Sequence, residues 1–314
     1  MRCQNSISVS GVENEKMPLI SVIVNCYNGS RFLREALDSI VAQSYSNWEV
    51  IFWDNQSTDS SAQIFKEYTD PRMKYFYSPE FTTLGMARNL AVNSSSGEWV
   101  AFLDCDDLWT PDKLQLQMDI ICAEDKNLGL VYGNSLVIIQ RNENISQWAR
   151  KLSKYSNKDA LNKLPEGDIF SELVKINFVP LLTAMVRKNL YLHVGGVSPN
   201  YVQAEDYDLF VKIASNNLVR AVQDVIGYYR VHDNNASHNN LEIGYLECRE
   251  IVSKFLPDPR AKIGLQYQYT YHSIYLISNR FFIKGFFYLV RFGSFRAIIK
   301  LALQRLLKIL KRIF

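Results

Sequence analysis

Short apolar runs alternate along this chain with longer segments in which apolar residues recur every three or four positions. "LISVIVNCYN" (19–28) is a β-branched run ending on Asn25, Tyr27, Asn28 and Gly29, a pattern that predicts a buried strand closed by a turn. "SRFLREALDSIVAQSY" follows with Phe32, Leu33, Ala36, Leu37, Ile40 and Val41 at helical spacing. "NWEVIFWDNQSTDSSAQIFKEY" repeats the scheme with a strand at 48–53, a polar turn and a helix from about Ser60. A strand at "KYFYS", a helix across "GMARNLAVNSS" and a strand at "EWVAFLD" come next. "TPDKLQLQMDIICAED" predicts a helix with Pro111 near its start, and "LGLVYGNSLVII" a strand. After a polar stretch at 141–167 come a helix near 168–176, then "AEDYDLFVKIAS", a helix opening on Glu205, Asp206 and Asp208, and the closing "LVRAVQDVIGYYRVHDNNAS". Strands alternating with helices predict an α/β fold built on a largely parallel sheet with helices on both faces. Ligands of such sheets bind at the carboxyl ends of the strands. Tyr27 and Asn28, Asp54 and Asn55, and Asp104 to Asp107 should therefore converge on one edge.

Length and composition allow a sizeable core: 314 residues, 47% hydrophobic and 13% aromatic. The net charge of +3 conceals an asymmetry, because eleven Lys and Arg and no acidic residue follow Asp258, which leaves 24 basic against 32 acidic residues up to and including it. An acidic body and a basic tail face different partners. The five cysteines form no C-x-x-C pair, and the four histidines show no zinc spacing with them, which fits a reducing compartment. "MRCQNSISVSGVENEKM" is polar and lacks the apolar stretch of a signal peptide, so the expectation is a cytoplasmic protein. No run approaches the roughly 20 uninterrupted apolar residues of a membrane span, so any membrane contact is expected to be peripheral.

"GEWVAFLDCDDLW" (97–109) runs from a strand directly into Asp104, Asp106 and Asp107. Carboxylates crowded at a strand end repel one another, and a hard divalent cation with oxygen ligands is the usual compensation; solvated, helix-capping aspartates are the plainer alternative. A calcium loop of the EF-hand type is a poorer fit, since counting from Asp104 places Trp109 at the sixth position and Gln115 at the twelfth. Together with "NCYNGSRFLREALDSI", "DNQSTDSS", "GMARNLAVNSSSGEWVAFLDCDD" and "AEDYDLFVKIA", the pattern resembles the family 2 glycosyltransferases over roughly residues 18–238. The resemblance implies a GT-A fold, Rossmann-like, with a mostly parallel mixed sheet flanked by helices and a C-terminal helical extension. It implies a domain at 18–240, preceded by a disordered segment at 1–17 and followed by a basic amphipathic extension at 241–314.

The resemblance further implies an inverting, metal-dependent transfer of a sugar from a nucleoside-diphosphate donor to a glycan or lipid-linked glycan. It places the D-x-D-type metal motif on Asp104, Asp106 and Asp107. Asp107 is the implied main ligand of Mg²⁺ or Mn²⁺, Asp106 lies near the ribose, and His232 lies beside the diphosphate or metal. It assigns Tyr27, Asp54 and Asn55 to the nucleobase, Arg88 to the donor pocket, and Asp206, in the "ED" pair, to the general base. Two departures concern the donor: the first strand ends in Asn25-Cys26 rather than Pro-Thr, and the common Asp-Asp-Gly-Ser reads Asp54-Asn55-Gln56-Ser57. Asn55 both donates and accepts hydrogen bonds where a carboxylate only accepts, so the nucleobase stays open.

"FRAIIKLALQRLLKILKRIF" places Arg296, Lys300, Arg305, Lys308, Lys311 and Arg312 on one half of a helical wheel and Ile298, Ile299, Leu303, Leu306, Ile309, Leu310 and Ile313 on the other. Such a helix can lie on an anionic membrane surface or pack on protein. Two other readings stand beside sugar transfer. A nucleotidyltransferase would want a Gly-rich phosphate loop, of which "NCYNGSRF" offers only Gly29 and Arg31. A non-enzymatic membrane-binding module would leave the strand-end aspartates without a task, and the acidic body excludes nucleic acid as a partner.

Overall fold

A computed structural model of the protein describes residues 17–123, 127–139, 163–232, 241–294 and 298. The expectations for the N-terminal segment up to residue 16, for most of 141–167 and, Ile298 apart, for the amphipathic helix from 296 onward lie outside the described residues. The chain divides into two compact units, one comprising 1–169 and 179–236, the other 170–178 and 237–314.

Within the first unit one mixed sheet contains β1 (Ile20–Cys26), β2 (Trp48–Asp54), β3 (Met73–Tyr77), β4 (Trp99–Phe102), β5 (Leu108–Trp109), β6 (Leu128–Ile139), β7 (Met185–Arg187) and β8 (Leu218–Val231), in the order β3-β2-β1-β4-β7-β6-β8-β5. β1 pairs in parallel with β2 and β4, β2 with β3, and β6 with β8. β7 runs antiparallel between β4 and β6, and β5 antiparallel along β8. Register places Cys26 opposite Asp54, and Asp54 opposite Tyr77, so the polar strand ends line up along one edge.

The connecting helices are α1 (Ser30–Val41), α2 (Ser61–Lys66), α3 (Leu84–Asn93), α4 (Lys113–Ala123), α6 (Lys188–His193) and α7 (Glu205–Ala214); α5 (Phe170–Leu173) belongs to the second unit. α1 buries Phe32, Leu33, Ala36, Leu37 and Ile40 of the stripe its sequence predicts, while Val41, at its last position, is exposed. β1 and β2 are buried at every position, as expected of strands covered on both faces. The core joins these strands to Tyr45, Trp48, Trp99, Trp109, Leu114, Met118 and Met185. Trp109 Nε1 donates to the Leu182 carbonyl at 2.7 Å, which pins β5 and the acidic loop before it.

The second unit contains α5, α8 (Leu241–Ser253), α9 (Pro259–Ser278) and α10 (Phe282–Phe292). Asp258 caps α9 by accepting from the Arg260 N–H, with Pro259 at the first helical position. Gln268 donates to the Val174 and Lys175 carbonyls, both at 3.1 Å, and so holds residues 170–178 within this unit.

Candidate active site

β1 ends in a turn with Asn28 in the left-handed region (φ 53°), and β2 ends in another with Gln56 at φ 68°. The two turns are laced together. Asn28 N–H donates to Ser57 Oγ at 3.0 Å, and the Thr58 N–H donates to Asn28 Oδ1 at 2.8 Å. Ser30 N–H, at the start of α1, donates to Asp59 Oδ2 at 2.9 Å. Tyr27 is left projecting, 53% exposed, with its ring edge-on to Phe81 at 4.8 Å between centroids. Phe81 is itself 59% exposed, so two aromatic rings stand at the sheet edge without a cover.

Asp54 and Asn55 work beneath that surface. Asp54 is completely buried, with Oδ1 accepting from the Ser57 N–H at 2.7 Å and Oδ2 from the Tyr75 hydroxyl at 2.6 Å. Asn55 binds Thr82 from both ends of its amide: Nδ2 donates to the Thr82 carbonyl at 2.9 Å, and Oδ1 accepts from the Thr82 N–H at 3.2 Å and hydroxyl at 3.1 Å. The amide's ability to donate as well as accept, which a carboxylate lacks, is used on the loop that carries Phe81.

The acidic loop follows β4. Its short continuation β5 turns back along β8, which sets Asp104 to Asp107 against the end of that strand. Asp107, buried, accepts from the Arg230 N–H at 2.8 Å. The Arg230 guanidinium, buried over the Phe32 ring, donates to the Asp106 carbonyl at 2.7 Å and to Glu35 at 2.8 Å. His232 Nε2 lies 2.9 Å from Asp106 Oδ2. Burial first and then the Asp104 charge raise the Asp106 pKa, partly opposed by His232. Burial and the Asp106 and Asp104 charges raise that of Asp107 well above the usual carboxylate range. Among the described residues no three His, Cys, Asp or Glu side chains converge as a ready metal cage. The Cys26 and Cys105 sulfurs flank Gly29, where a Cβ would meet Cys105 Sγ at 2.5 Å and Cys26 Sγ at 3.0 Å.

Arg88 joins this loop to the acidic helix. It is buried in α3, with Nη2 donating to Asp104 at 2.9 and 3.2 Å and Nη1 donating to Glu205 in the first turn of α7. Burial alone would lower its pKa; the charges of Asp104 and Glu205 outweigh that and raise it. The guanidinium that the resemblance assigns to the donor pocket is therefore engaged by two carboxylates. Beside Glu205, Asp206 is partly exposed, and one of its oxygens accepts from the Tyr207 N–H at 2.6 Å. Burial and the Glu205 charge push its pKa up to about 7, against the pull of Arg88. Asp208 is buried and paired with Lys212 at 2.5 Å, and Leu209 is in the core, so both anchor the helix.

Sequence reasoning passed over Asn89 and Phe81. Asn89 accepts from the Tyr191 hydroxyl at 2.6 Å and the Val197 N–H at 3.2 Å, and donates to the Val197 carbonyl at 2.9 Å. It thereby fixes the turn at Gly195 and Gly196, whose φ angles of 83° and 66° favour glycine, just ahead of α7. Its place next to Arg88 in "ARN" was the available signal.

Comparison with known proteins settles the family. The family model described as "Glycosyl transferase family 2" matches residues 21–171. An uncharacterized glycosyltransferase, RT0329, of Rickettsia typhi is 30% identical over 247 residues, covering 76% of this chain and 72% of its own. The chain belongs to glycosyltransferase family 2. Membership decides for sugar transfer over the nucleotidyltransferase and non-enzymatic readings. Another relative of this glycosyltransferase, the Escherichia coli UDP-Glc:alpha-D-GlcNAc-diphosphoundecaprenol beta-1,3-glucosyltransferase WfgD, is 26% identical, covering 78% of this chain and 89% of its own. Staphylococcus aureus TarS 1–349 in complex with UDP-GlcNAc superposes with a TM-score of 0.66 at 21% identity, covering 83% and 74% of the two chains. The Pyrobaculum calidifontis mannosyltransferase PcManGT in complex with GDP-Man and Mn²⁺ gives 0.62 at 21% identity, covering 94% and 81%. These likenesses establish the GT-A fold.

Proposed function

We propose that this glycosyltransferase moves a sugar, with inversion, from a nucleoside-diphosphate donor to a glycan or lipid-linked glycan during synthesis of a surface polysaccharide such as O-antigen or capsule. The observation that carries the reading is the Asp104–Arg88–Glu205 bridge. It ties the acidic loop at the sheet edge to the first turn of α7, which supports Asp206, the next residue of that turn, as the group that faces the acceptor. Asp206 takes the proton of the acceptor hydroxyl as that oxygen attacks the anomeric carbon. The new C–O bond forms as the bond to the diphosphate breaks, and the electron pair leaves with the nucleoside diphosphate. A base with a pKa near the working pH suits that step.

Tyr27 and Phe81 flank the nucleobase, with Asn55 holding the Phe81 loop and Asp54 bracing the turn from below. Arg88 serves the donor pocket by orienting Asp104, and Asp106 lies near the ribose. The loop suits one divalent cation: burial and the neighbouring aspartate charges raise the pKa values of Asp106 and Asp107, against the opposing pull of His232 and Arg230. Mg²⁺ or Mn²⁺ typically takes one or two protein carboxylates and completes its shell with phosphate and water. Asp107 and Asp106, with His232, would hold it, and when bound it stabilises the charge developing on the leaving diphosphate.

Support for a lipid-linked acceptor comes from WfgD, a glucosyltransferase named for alpha-D-GlcNAc-diphosphoundecaprenol. Among the described residues no helix is long and apolar enough to cross a membrane. On this reading the protein works from the cytoplasm, held peripherally at the inner face of the cell membrane through its basic C-terminal extension. Calorimetric titration of UDP, GDP, CDP and dTDP, each with Mn²⁺ and with EDTA, tests the site. One nucleotide should bind with metal only, and Asp107→Ala should abolish that binding. Failure of all four to bind would sink the reading.

A further inference from the structure

α10 is apolar on two sides, and only one of them is covered. At about 100° per residue, Gly285, Tyr288 and Phe292 fall on the side turned to α9. There a Cβ on Gly285 would meet the Ile277 side chain at 2.7 Å, the Tyr288 ring lies edge-on to Tyr269, and Phe292 stacks on Tyr269 at 4.7 Å. The other side spans an arc of roughly 140° by the same spacing and holds Phe282, Ile283, Phe286, Phe287 and Val290, which are 60, 89, 64, 54 and 70% exposed. Together with Ile277 they line an open groove of about 1030 Å³. A helix facing water normally turns charged residues outward, and contiguous exposed apolar surface of this kind marks an interaction site.

The charges on the same stretch indicate what covers it. Lys284 and Arg291 fall together on one border of the apolar arc, and Arg280 precedes the helix. Nothing acidic occurs anywhere after Asp258, so the charges of α10 itself are cations, of which Lys284 also pairs with Glu242 of α8 at 2.9 Å. A second copy of the chain on this face would set those cations against their own kind. An anionic bilayer matches both halves of the pattern, with acyl chains for the aromatic arc and headgroup phosphates for the cationic border.

We propose that α10 is an interfacial membrane-docking helix that lies in the plane of an anionic bilayer with Ile283, Phe286 and Val290 below the headgroups. This rests on the reading that the protein works at a membrane surface and gives that reading a second, structurally defined contact besides the segment from Arg296 onward.

The full-length protein, the Ile283→Trp variant and the Ile283→Asp/Phe286→Asp double variant are mixed with vesicles of phosphatidylcholine with and without phosphatidylglycerol. Sedimentation reads binding, and quenching of Trp fluorescence by lipids brominated along the acyl chain reads depth. The expected result is binding that needs phosphatidylglycerol, quenching of Ile283→Trp well beyond the parent, and a fall in partitioning of about tenfold or more in the aspartate variant with nucleotide affinity unchanged. Binding to vesicles with Ile283→Trp unquenched would overturn the role of α10 while leaving the tail as the anchor. No vesicle binding by the parent would overturn the membrane reading itself. A dimer that the aspartate variant converts to monomer would show that a second copy covers the face, which also overturns the proposal.

Discussion

Asp206 sits among like charges, and that gives its two expected phenotypes opposite directions. Its carboxyl is raised from 3.8 to about 7, so the basic form is populated only above that value and turnover should climb between pH 6 and pH 8. The folded state holds this proton more tightly than the unfolded chain does. The contribution to stability is therefore complete below pH 3.8 and is lost as pH rises through about 7. Asp206→Asn should lower kcat by roughly 10²–10⁴-fold with donor affinity unchanged, and should melt above the parent at pH 8 with the gap closing toward pH 4. Near-native turnover in this variant would remove Asp206 as the base. Arg88 presents the opposite balance, a buried cation that two carboxylates require. Arg88→Ala should cost about 3–5 kcal/mol in denaturant unfolding because Glu205 is left buried and unpaired. Pairing Arg88→Gln with Glu205→Gln should restore much of the stability but not the activity, since Asp104 still loses its partner.

The proposed donor site is assembled by turns. Strand ends of β1 and β2 deliver Tyr27 and Asn55, while the loop between β3 and α3 delivers Phe81 and is tied to Asn55 through Thr82 and to Gln56 through the Pro79 carbonyl. Phe81→Ala or Tyr27→Ala should weaken nucleoside-diphosphate binding about tenfold, the worth of one aromatic contact. Asn55→Ala should do so to a similar degree without removing any ring, because the loop loses three hydrogen bonds. Equal affinity in Asn55→Ala and the parent, by calorimetry, would show that Phe81 needs no such tether. Tyr27 was legible from its place after an apolar run. Phe81 was not, since "SPEFTT" has no periodicity and its position depends on hydrogen bonds to a residue 27 positions earlier.

The protein as a whole contains two compact units with cores of their own. Calorimetry should resolve two unfolding transitions. A nucleoside diphosphate with Mn²⁺, present at about 100 times its Kd, should stabilise the first unit by about 2.7 kcal/mol and move one transition upward while the other stays in place. A ligand that shifts both equally would show that the units unfold together. The excess of cations after Asp258 also belongs to this scale, since it arises from a segment rather than from any one residue.

Local chemistry determined a great deal. The alternation of β-branched runs with helical stripes specified β1 to β4, α1 to α4 and α7 in type and order, because strand and helix periods are properties of neighbouring residues. The same polarity pattern placed Tyr27, Asp54, Asp104 to Asp107 and Asp206 at element ends. Tertiary structure alone decided the rest. It reversed β7 and β5 within the sheet, a matter of long-range pairing that no local period encodes. It buried Asp54 as a brace and turned Arg88 into a bridge across 117 residues to Glu205. Which partner a charged side chain finds, and hence whether it faces a ligand or the core, depends on chain segments far apart in sequence and brought together only when the sheet closes.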